Sequence, residues 1–293
     1  MRSFALFVFF VQLLFAQTDL LKQKFTDKIR SITDQSDAIV GIAIKDFRSN
    51  EQILINEKEV FPTASSIKIF VLAEVYRQAA EGKFRMTDIQ SIPAVFRVSG
   101  SGILSMLSDK SVSMSIRDYC VLMMNLSDNS ATNLLIDLVG MKSVNDFAVK
   151  NGCNSTKLQR VMMDVQAAKE GKENISSPSD FLIMLDKLYQ GELVSKQASD
   201  DMLSIMKLDK EGWLKSGLPS GISIANKAGD IEGIKCDVGI VYLKNAPYII
   251  CVMSKMLLND SDGEPIITDI SKATFQYLER AANSNQYGRR IPE

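Results

Sequence analysis

Apolar residues recur along the chain at spacings that divide it into an ordered series of elements. Leu21, Phe25, Ile29 and Ile32 repeat at helical spacing, which predicts an amphipathic first helix. The segments at 38–46 and 51–56 are rich in Ile and flank a short polar turn, so they predict a β-hairpin. Helical periodicity, with Gly or a Ser-Pro pair as stop and start signals, then predicts helices over 66–81, 115–125, 130–139, 142–150 and 178–189.

Strand patterns return near the end of the chain, at 222–227, 237–244 and 246–254, and a final helix is predicted over 265–282. This order predicts an α/β fold of the α+β type. A five-stranded antiparallel sheet is flanked by N- and C-terminal helices and carries an inserted all-helical lobe. We expect one domain over 17–293, with its α/β part at about 17–62 and 215–293 and the helical lobe at about 63–214. A cleft between lobe and sheet is the expected place for a site.

The first sixteen residues have the pattern of a targeting segment. Arg2 is their only charge, and the apolar run that follows is too short to span a bilayer comfortably. A signal peptide over 1–16 is the preferred interpretation, and a buried N-terminal helix is the alternative. The mature protein is therefore expected to be secreted or periplasmic, without a stable membrane anchor.

The residue types that are missing from the composition exclude several kinds of catalytic site. The 293 residues include no histidine, which excludes histidine-dependent triads and His-ligated metals and leaves Lys, Asp, Glu, Tyr, Cys or water to carry protons. The 34 basic and 35 acidic residues are interspersed, so nucleic acid is not an expected partner. Export would permit disulfides, but free, buried thiols are the preferred interpretation of the four cysteines: Cys120, Cys153, Cys236 and Cys251.

Two short motifs in the helical region carry candidate chemistry. Ser65 and Lys68 lie three positions apart at the start of a predicted helix, so they share a face. A lysine with a lowered pKa can then take the serine proton, although a capping serine beside a solvated lysine is the ordinary alternative. Ser127-Asp128-Asn129 separates two predicted helices and offers a hydroxyl and an amide, or simply a helix cap.

The third motif is Lys227-Ala228-Gly229, predicted at the end of a strand. A lysine there can project into a cleft, and a glycine lets a substrate approach the backbone of an edge strand. A lysine that simply precedes a turn is the common alternative.

Taken together, in this order and at these separations, the three motifs resemble the signature of class A beta-lactamases and penicillin-binding proteins. The order of elements is similar to that superfamily over essentially all of 17–293. The resemblance implies a beta-lactamase-like fold and a serine hydrolase that opens beta-lactam rings through an acyl-enzyme. It implies no cofactor and no metal. The expected partner is a small molecule, a beta-lactam or a peptidoglycan-like amide, and the protein is expected to be a monomer.

The resemblance also assigns roles to individual residues. Ser65 is the nucleophile and Lys68 the base that activates it. Lys227 helps to keep Lys68 neutral and attracts the substrate carboxylate, while Ser127 passes a proton to the leaving nitrogen. The remaining substrate contacts are the side chain of Asn129, the open backbone at Gly229, and the N–H groups of Ser65 and Asp230 as an oxyanion hole.

The chain departs from the family pattern at two places. Ala228 stands where the family has a hydroxyl residue that binds the substrate carboxylate. Two residues after Arg160, where class A enzymes carry the glutamate that activates the deacylating water, this chain has Met162. Asp164 is the nearest carboxylate; it is either a tentative deacylation base or a structural group bound to Arg160 or to a backbone N–H. A loop of altered shape could instead present Glu173 to the water.

These departures leave three functional alternatives open. The first is a beta-lactamase of class A type. The second is a related serine hydrolase, such as a D-alanyl-D-alanine peptidase or an esterase. The third is a beta-lactam-binding protein whose acyl-enzyme is hydrolysed slowly, because a missing general base typically removes about 10²–10⁴-fold of rate.

Overall fold

The computed structural model describes residues 20–108 and 112–291. The predicted signal peptide at 1–16 lies outside these residues. No helix within the described ranges is both long and apolar enough to cross a membrane.

One five-stranded antiparallel sheet organises the fold, as predicted. Its strands are β1 (Ile39–Asp46), β2 (Gln52–Ile55), β3 (Ile224–Ile231), β4 (Ile234–Val241) and β5 (Tyr248–Lys255). They pair in the order β2-β1-β5-β4-β3, so the last strand inserts between the first hairpin and the later one, and β3 forms an edge. Ile42, for example, pairs with Val252.

Both faces of the sheet are covered, which explains why β4 and β5 are almost continuously buried. On one face, Ile42 and Val252 pack with Phe25 of the first helix and Ile270 of the last helix. On the other face, Ala43, Cys251 and their same-face neighbours pack against the helical region. Since strand side chains alternate between faces, each strand contributes to both cores.

Ten helices surround the sheet in the described ranges. They are α1 (residues 20–34), α2 (Lys68–Ala80), α3 (Ile116–Asn125), α4 (Asn129–Val139), α5 (Met141–Lys150), α6 (Val165–Lys169), α7 (Pro178–Gln190), α8 (Lys196–Met206), α9 (Trp213–Ser216) and α10 (Gly263–Ala282). The helices α1 and α10 share one face of the sheet, where Phe25 stacks on Tyr277 with ring centroids 4.5 Å apart. Ser177 caps α7 by accepting a hydrogen bond from the N–H of Asp180, as the Ser-Pro signal predicted.

Two predicted strands, 222–227 and 237–244, had wrong boundaries at both ends and run over Ile224–Ile231 and Ile234–Val241. Lys227-Ala228-Gly229 therefore lies inside β3 and not at its end. The physical reason is a tight two-residue turn at Glu232-Gly233, where Gly233 has a φ of +74° and Ile231 pairs directly with Ile234.

The four cysteines are buried and free, which confirms the preferred interpretation of Cys120, Cys153, Cys236 and Cys251. Burial raises the pKa of the Cys120 and Cys236 thiols, so both stay protonated and unreactive.

Candidate active site

The segment that carries Ser65 enters α2 through a short 3₁₀ turn over Ala64–Ile67. Ala64 has a φ of +45°, an uncommon backbone conformation for a residue with a Cβ. The half-buried Ser65 follows it, and Lys68 is the first residue of α2 and is fully buried. The turn therefore places a hydroxyl at the surface of the cleft and an amine directly beneath it.

The junction between α3 and α4 supplies the second motif. Ser127 has a φ of +52°, which breaks the helical path between the two helices. Asp128 caps α4 through Oδ1, which accepts from the N–H of Ala131 at 2.9 Å. Its Oδ2 accepts from the backbone N–H groups of Ile103 and Leu104 at 2.7 and 2.9 Å. Asp128 thus fixes the loop opposite Ser65 and has a structural role.

Hydrogen bonds join the first two motifs into one relay. Lys68 Nζ donates to Ser127 Oγ at 3.0 Å, and Ser127 Oγ donates to Ser65 Oγ at 2.8 Å. Lys68 Nζ also donates to Ser127 O at 2.7 Å and to Asn129 Oδ1 at 3.0 Å. Three acceptors therefore hold the amine, and the Ser127 hydroxyl connects it to Ser65.

The pKa of Lys68 lies well below its ordinary value. Burial is the largest cause, and the positive charge of Lys227 lowers it further, while Asp128 opposes both. The charge effect expected of Lys227 is present, but it is secondary to desolvation. In its neutral form the amine has two N–H groups to donate, and its lone pair can accept a proton from Ser127 Oγ.

Lys227 lies on β3 and is buried, with Nζ donating to Ala228 O at 2.7 Å. Burial lowers its pKa to about 7; Asp237 works against this shift and Lys210 adds to it. Asp237 is itself buried and accepts from Asn226 Nδ2 at 2.9 Å and from the N–H of Leu214 at 3.0 Å. Lys227 therefore changes its charge close to neutral pH.

Gly229 allows β3 to lie against the Ser65 segment. A Cβ at Gly229 would lie 2.4 Å from Thr63 O and 3.0 Å from the backbone nitrogens of both Ser65 and Ser66. The contact is also tied by a hydrogen bond, since Ser66 Oγ donates to Lys227 O at 3.1 Å. This close approach brings the third motif to the other two.

A cleft of about 200 Å³ opens over these residues. The residues that line it come from the Ser65 turn, the loop at 100–101, α4, the segment at 160–174 and the end of β3: Ala64, Ser65, Gly100, Ser101, Asn129, Arg160, Met162, Met163, Glu173, Asn174, Asp230 and Ile231. Ser65, Asn129 and Asp230 thus meet in one cavity, while Lys68 and Lys227 are buried and do not line it.

Comparison with known proteins agrees with this geometry. The family model described as the beta-lactamase enzyme family matches residues 24–278. The chain belongs to the beta-lactamase enzyme family. The prediction of a class A-like serine beta-lactamase, and thus of a hydrolase, is confirmed at the level of the family, and the predicted fold class is confirmed with it.

Individual relatives cover most of the chain. The extended-spectrum beta-lactamase PER-1 of Pseudomonas aeruginosa is 27% identical over 89% of this chain and 88% of its own length. A solved beta-lactamase from Sphaerobacter thermophilus is 27% identical with a TM-score of 0.78, covering 87% of this chain and 97% of that one. A PBP-A mutant, solved as its acyl-enzyme complex with penicillin G, is 26% identical with a TM-score of 0.80, covering 89% of this chain and 97% of that one.

Within this beta-lactamase fold, Met162 occupies the wall of the cleft. Asn133 clamps its backbone: the N–H of Met162 donates to Asn133 Oδ1 at 2.7 Å, and Asn133 Nδ2 donates to Met162 O at 3.1 Å. Met162 is buried, and the neighbouring Met163 is exposed at the mouth. Both thioethers make this part of the cleft apolar.

Asp164 lies outside the group of residues that line the cleft. Its Oδ1 caps α6 by accepting from the N–H of Ala167 at 3.0 Å. This arrangement fits the structural interpretation, a carboxylate bound to a backbone N–H, and gives no geometric support to Asp164 as the deacylation base.

Two asparagines that sequence reasoning missed hold this loop. Besides Asn133, the buried Asn174 accepts from the N–H groups of Gln159 and Arg160 and donates to Arg160 O. Asn174 O also accepts from both Thr63 N and Thr63 Oγ1, at 2.8 and 2.9 Å. Asn174 therefore ties the neck of the loop to the segment before Ser65, and only its place beside Glu173 hinted at a role.

Proposed function

We propose that this protein opens beta-lactam rings by forming an acyl-enzyme on Ser65. The observation that carries the proposal is the hydrogen-bonded relay from the buried Lys68 amine through Ser127 Oγ to Ser65 Oγ. A serine alone is a weak nucleophile, and an adjacent base with a lowered pKa activates it without histidine.

The relay explains how the proton would move during acylation. Reversal of its two hydrogen bonds transfers the Ser65 proton to Ser127 and the Ser127 proton to neutral Lys68. Ser65 Oγ then attacks the lactam carbonyl, and Ser127 protonates the leaving nitrogen as the C–N bond breaks. Protonated Lys68 returns a proton to Ser127, so both groups end as they began and the Ser65 proton ends on the nitrogen. The backbone N–H groups of Ser65 and Asp230 are proposed to stabilise the oxyanion. Lys227 in its charged form would attract the substrate carboxylate, without help from a hydroxyl at Ala228.

A second candidate function is a beta-lactam-binding protein, or a peptidase of the same superfamily, whose acyl-enzyme with beta-lactams is long-lived. The observation that favours it is the apolar Met162 in the cleft wall together with the use of Asp164 as a helix cap. Neither arrangement offers a base to a deacylating water. Glu173, the other loop carboxylate considered from the sequence, does line the cleft, but it is held in an ion pair with Arg160. The likeness to PBP-A, a mutant of which was solved as its acyl-enzyme complex with penicillin G, supports the same candidate.

One experiment separates these candidates. The mature protein is mixed with a chromogenic cephalosporin and, separately, with a fluorescent penicillin. Many turnovers support a beta-lactamase, and a stable adduct on Ser65 without turnover supports the second candidate. Ser65→Ala should abolish both signals, while Ser101→Ala, which changes another serine of the cleft, should abolish neither. A folded protein that forms no adduct and shows no turnover would refute acylation by beta-lactams.

We also propose that residues 1–16 are removed on export and that the mature protein acts as a secreted or periplasmic monomer. The apolar run behind Arg2 supports the export step. Mass spectrometry of the protein recovered outside the cytoplasm would test it: a mature N-terminus near Gln17 is expected, and an intact Met1 would contradict it.

A further inference from the structure

An ion pair lines the wall of the cleft, with its negative member turned outward. Arg160 Nε and Nη2 both donate to Glu173 Oε2, at 3.2 and 2.9 Å. The Arg160 side chain is only 12% exposed, whereas that of Glu173 is 26% exposed. Both residues line the same cavity as Ser65 and Asn129.

The second carboxylate oxygen of Glu173 has free hydrogen-bond acceptor sites. Both contacts from Arg160 fall on Oε2, and among the described residues no hydrogen bond reaches Oε1. A carboxylate oxygen has two acceptor sites, so Oε1 can accept from a ligand without disturbing the pair. The guanidinium is largely buried by comparison. It also donates from Nη1 to Val161 O at 3.4 Å.

The charged residues near the end of β3 repeat the arrangement of a buried cation beside exposed carboxylates. Lys235 is 5% exposed and binds Asp230 at 2.8 Å, while Glu264 approaches it at 3.7 Å. The carboxylates of Asp230 and Glu264 are 56% and 50% exposed, so one buried cation is flanked by two exposed anions. At this end of the cleft the exposed charges are therefore mainly carboxylates, whereas the cation of Lys235 is buried.

We infer that this end of the cleft selects substrates whose acyl side chain carries an ammonium group, which Glu173 Oε1 binds. The inference rests on the proposed function, because Asn129, the proposed ligand of the side-chain amide, places the acyl side chain in this cavity. Glu173 acts here as a specificity-determining residue. The complementary substrate is zwitterionic, with its ring carboxylate toward Lys227 and its side-chain ammonium toward Glu173.

Three penicillins that differ in one substituent test the inference. Ampicillin, benzylpenicillin and carbenicillin carry an ammonium group, a hydrogen and a carboxylate on the same side-chain carbon. The second-order rate constant for acylation of Ser65 is measured at pH 6.5, where an α-amino group of pKa about 7.7 is mainly protonated. It is followed by intact-protein mass spectrometry where the adduct persists and as kcat/KM where the penicillin is turned over. Partly exposed ion pairs support a preference of about fivefold for ampicillin over benzylpenicillin, with carbenicillin slowest. The preference should shrink in high salt.

Two variants decide whether Glu173 is responsible for the preference for ampicillin. Glu173→Gln keeps a partner for Arg160 but removes the negative charge, so the ampicillin preference should vanish and carbenicillin should gain relative to the others. Asp164→Asn removes a carboxylate of the same loop outside the cleft and should leave the order unchanged. Equal rates for all three penicillins in the wild type, or equal losses of preference in the two variants, would overturn the inference while leaving the proposed function intact. Absence of both an adduct and turnover with all three, in a folded protein, would instead overturn the proposed function, and the inference with it.

Discussion

Replacement of Gly229 by alanine tests whether the close approach of β3 to the nucleophile matters. The new Cβ would lie 2.4 Å from Thr63 O, about 1 Å short of ordinary van der Waals contact. It would also lie 3.0 Å from the backbone nitrogens of Ser65 and Ser66. All three atoms belong to the backbone, so no side-chain rotation relieves the clash, and either the strand or the Ser65 turn must move.

A displacement of about 1 Å at reacting groups can reduce the rate about 10²-fold, and overpacking costs about 1–3 kcal/mol of stability. We therefore expect Gly229→Ala to fold, to melt at a lower temperature and to acylate about 10²-fold more slowly. The assay is adduct formation with a fluorescent penicillin, with thermal denaturation in parallel.

A matched control is available at the end of α2. Gly82 has a φ of +78°, and a Cβ there would meet nothing within 4 Å, so Gly82→Ala should lose stability through backbone strain alone. It should acylate at the wild-type rate. If folded Gly229→Ala also acylates at the wild-type rate, then the register of β3 against Ser65 does not control the chemistry, and the reasoning fails.

Three further predictions concern the loop and Lys227. Met162→Glu should raise the turnover of a chromogenic cephalosporin about 10²–10⁴-fold, because it places a general base in the cleft wall. Met163→Glu, at the exposed neighbour, should not raise the turnover, and equal gains in the two variants would contradict this reason. The charged form of Lys227 is lost as the pH rises through about 7, so acylation efficiency should fall above that pH. Lys227→Arg should remove this alkaline limb, and an unchanged pH profile would exclude Lys227 as its source. Asn174→Ala should lower the free energy of unfolding by about 1–3 kcal/mol, measured in urea, because it leaves part-buried backbone groups of the loop neck without partners. An unchanged midpoint would show that those bonds are dispensable.

The sequence was sufficient to predict the sheet and the three residues of the central relay, but not the path of the relay, in which Lys68 reaches Ser65 through Ser127. Ser65, Lys68 and Ser127 could be identified because their spacing depends on local helix geometry and on a motif order that resembles a known signature. The first hairpin and the last helix were predictable because their apolar periodicity is strong and their ends carry turn or capping residues.

Other features depend on contacts between distant segments, which no local pattern encodes. The extension of β3 to Ile231 follows from its pairing with β4, and α8 was missed because its polar face weakens the periodicity. The clamps made by Asn133 and Asn174 join residues far apart in the chain. The use of Asp164 as a cap became visible only with α6 in place, since a five-residue helix leaves little trace in a sequence.

The strand order has a consequence for how the chain can fold during synthesis. The central strand β5 pairs on one side with β1 and on the other with β4, so β1 has no partner from the later hairpin until residues near the end of the chain have emerged. Sheets closed by such distant pairings form late and slowly, since a long loop must be ordered before its contacts stabilise it. A ribosome-bound chain that stops before Tyr248 should therefore remain protease-sensitive, with Ser65 and Gly229 both synthesised but not yet held together.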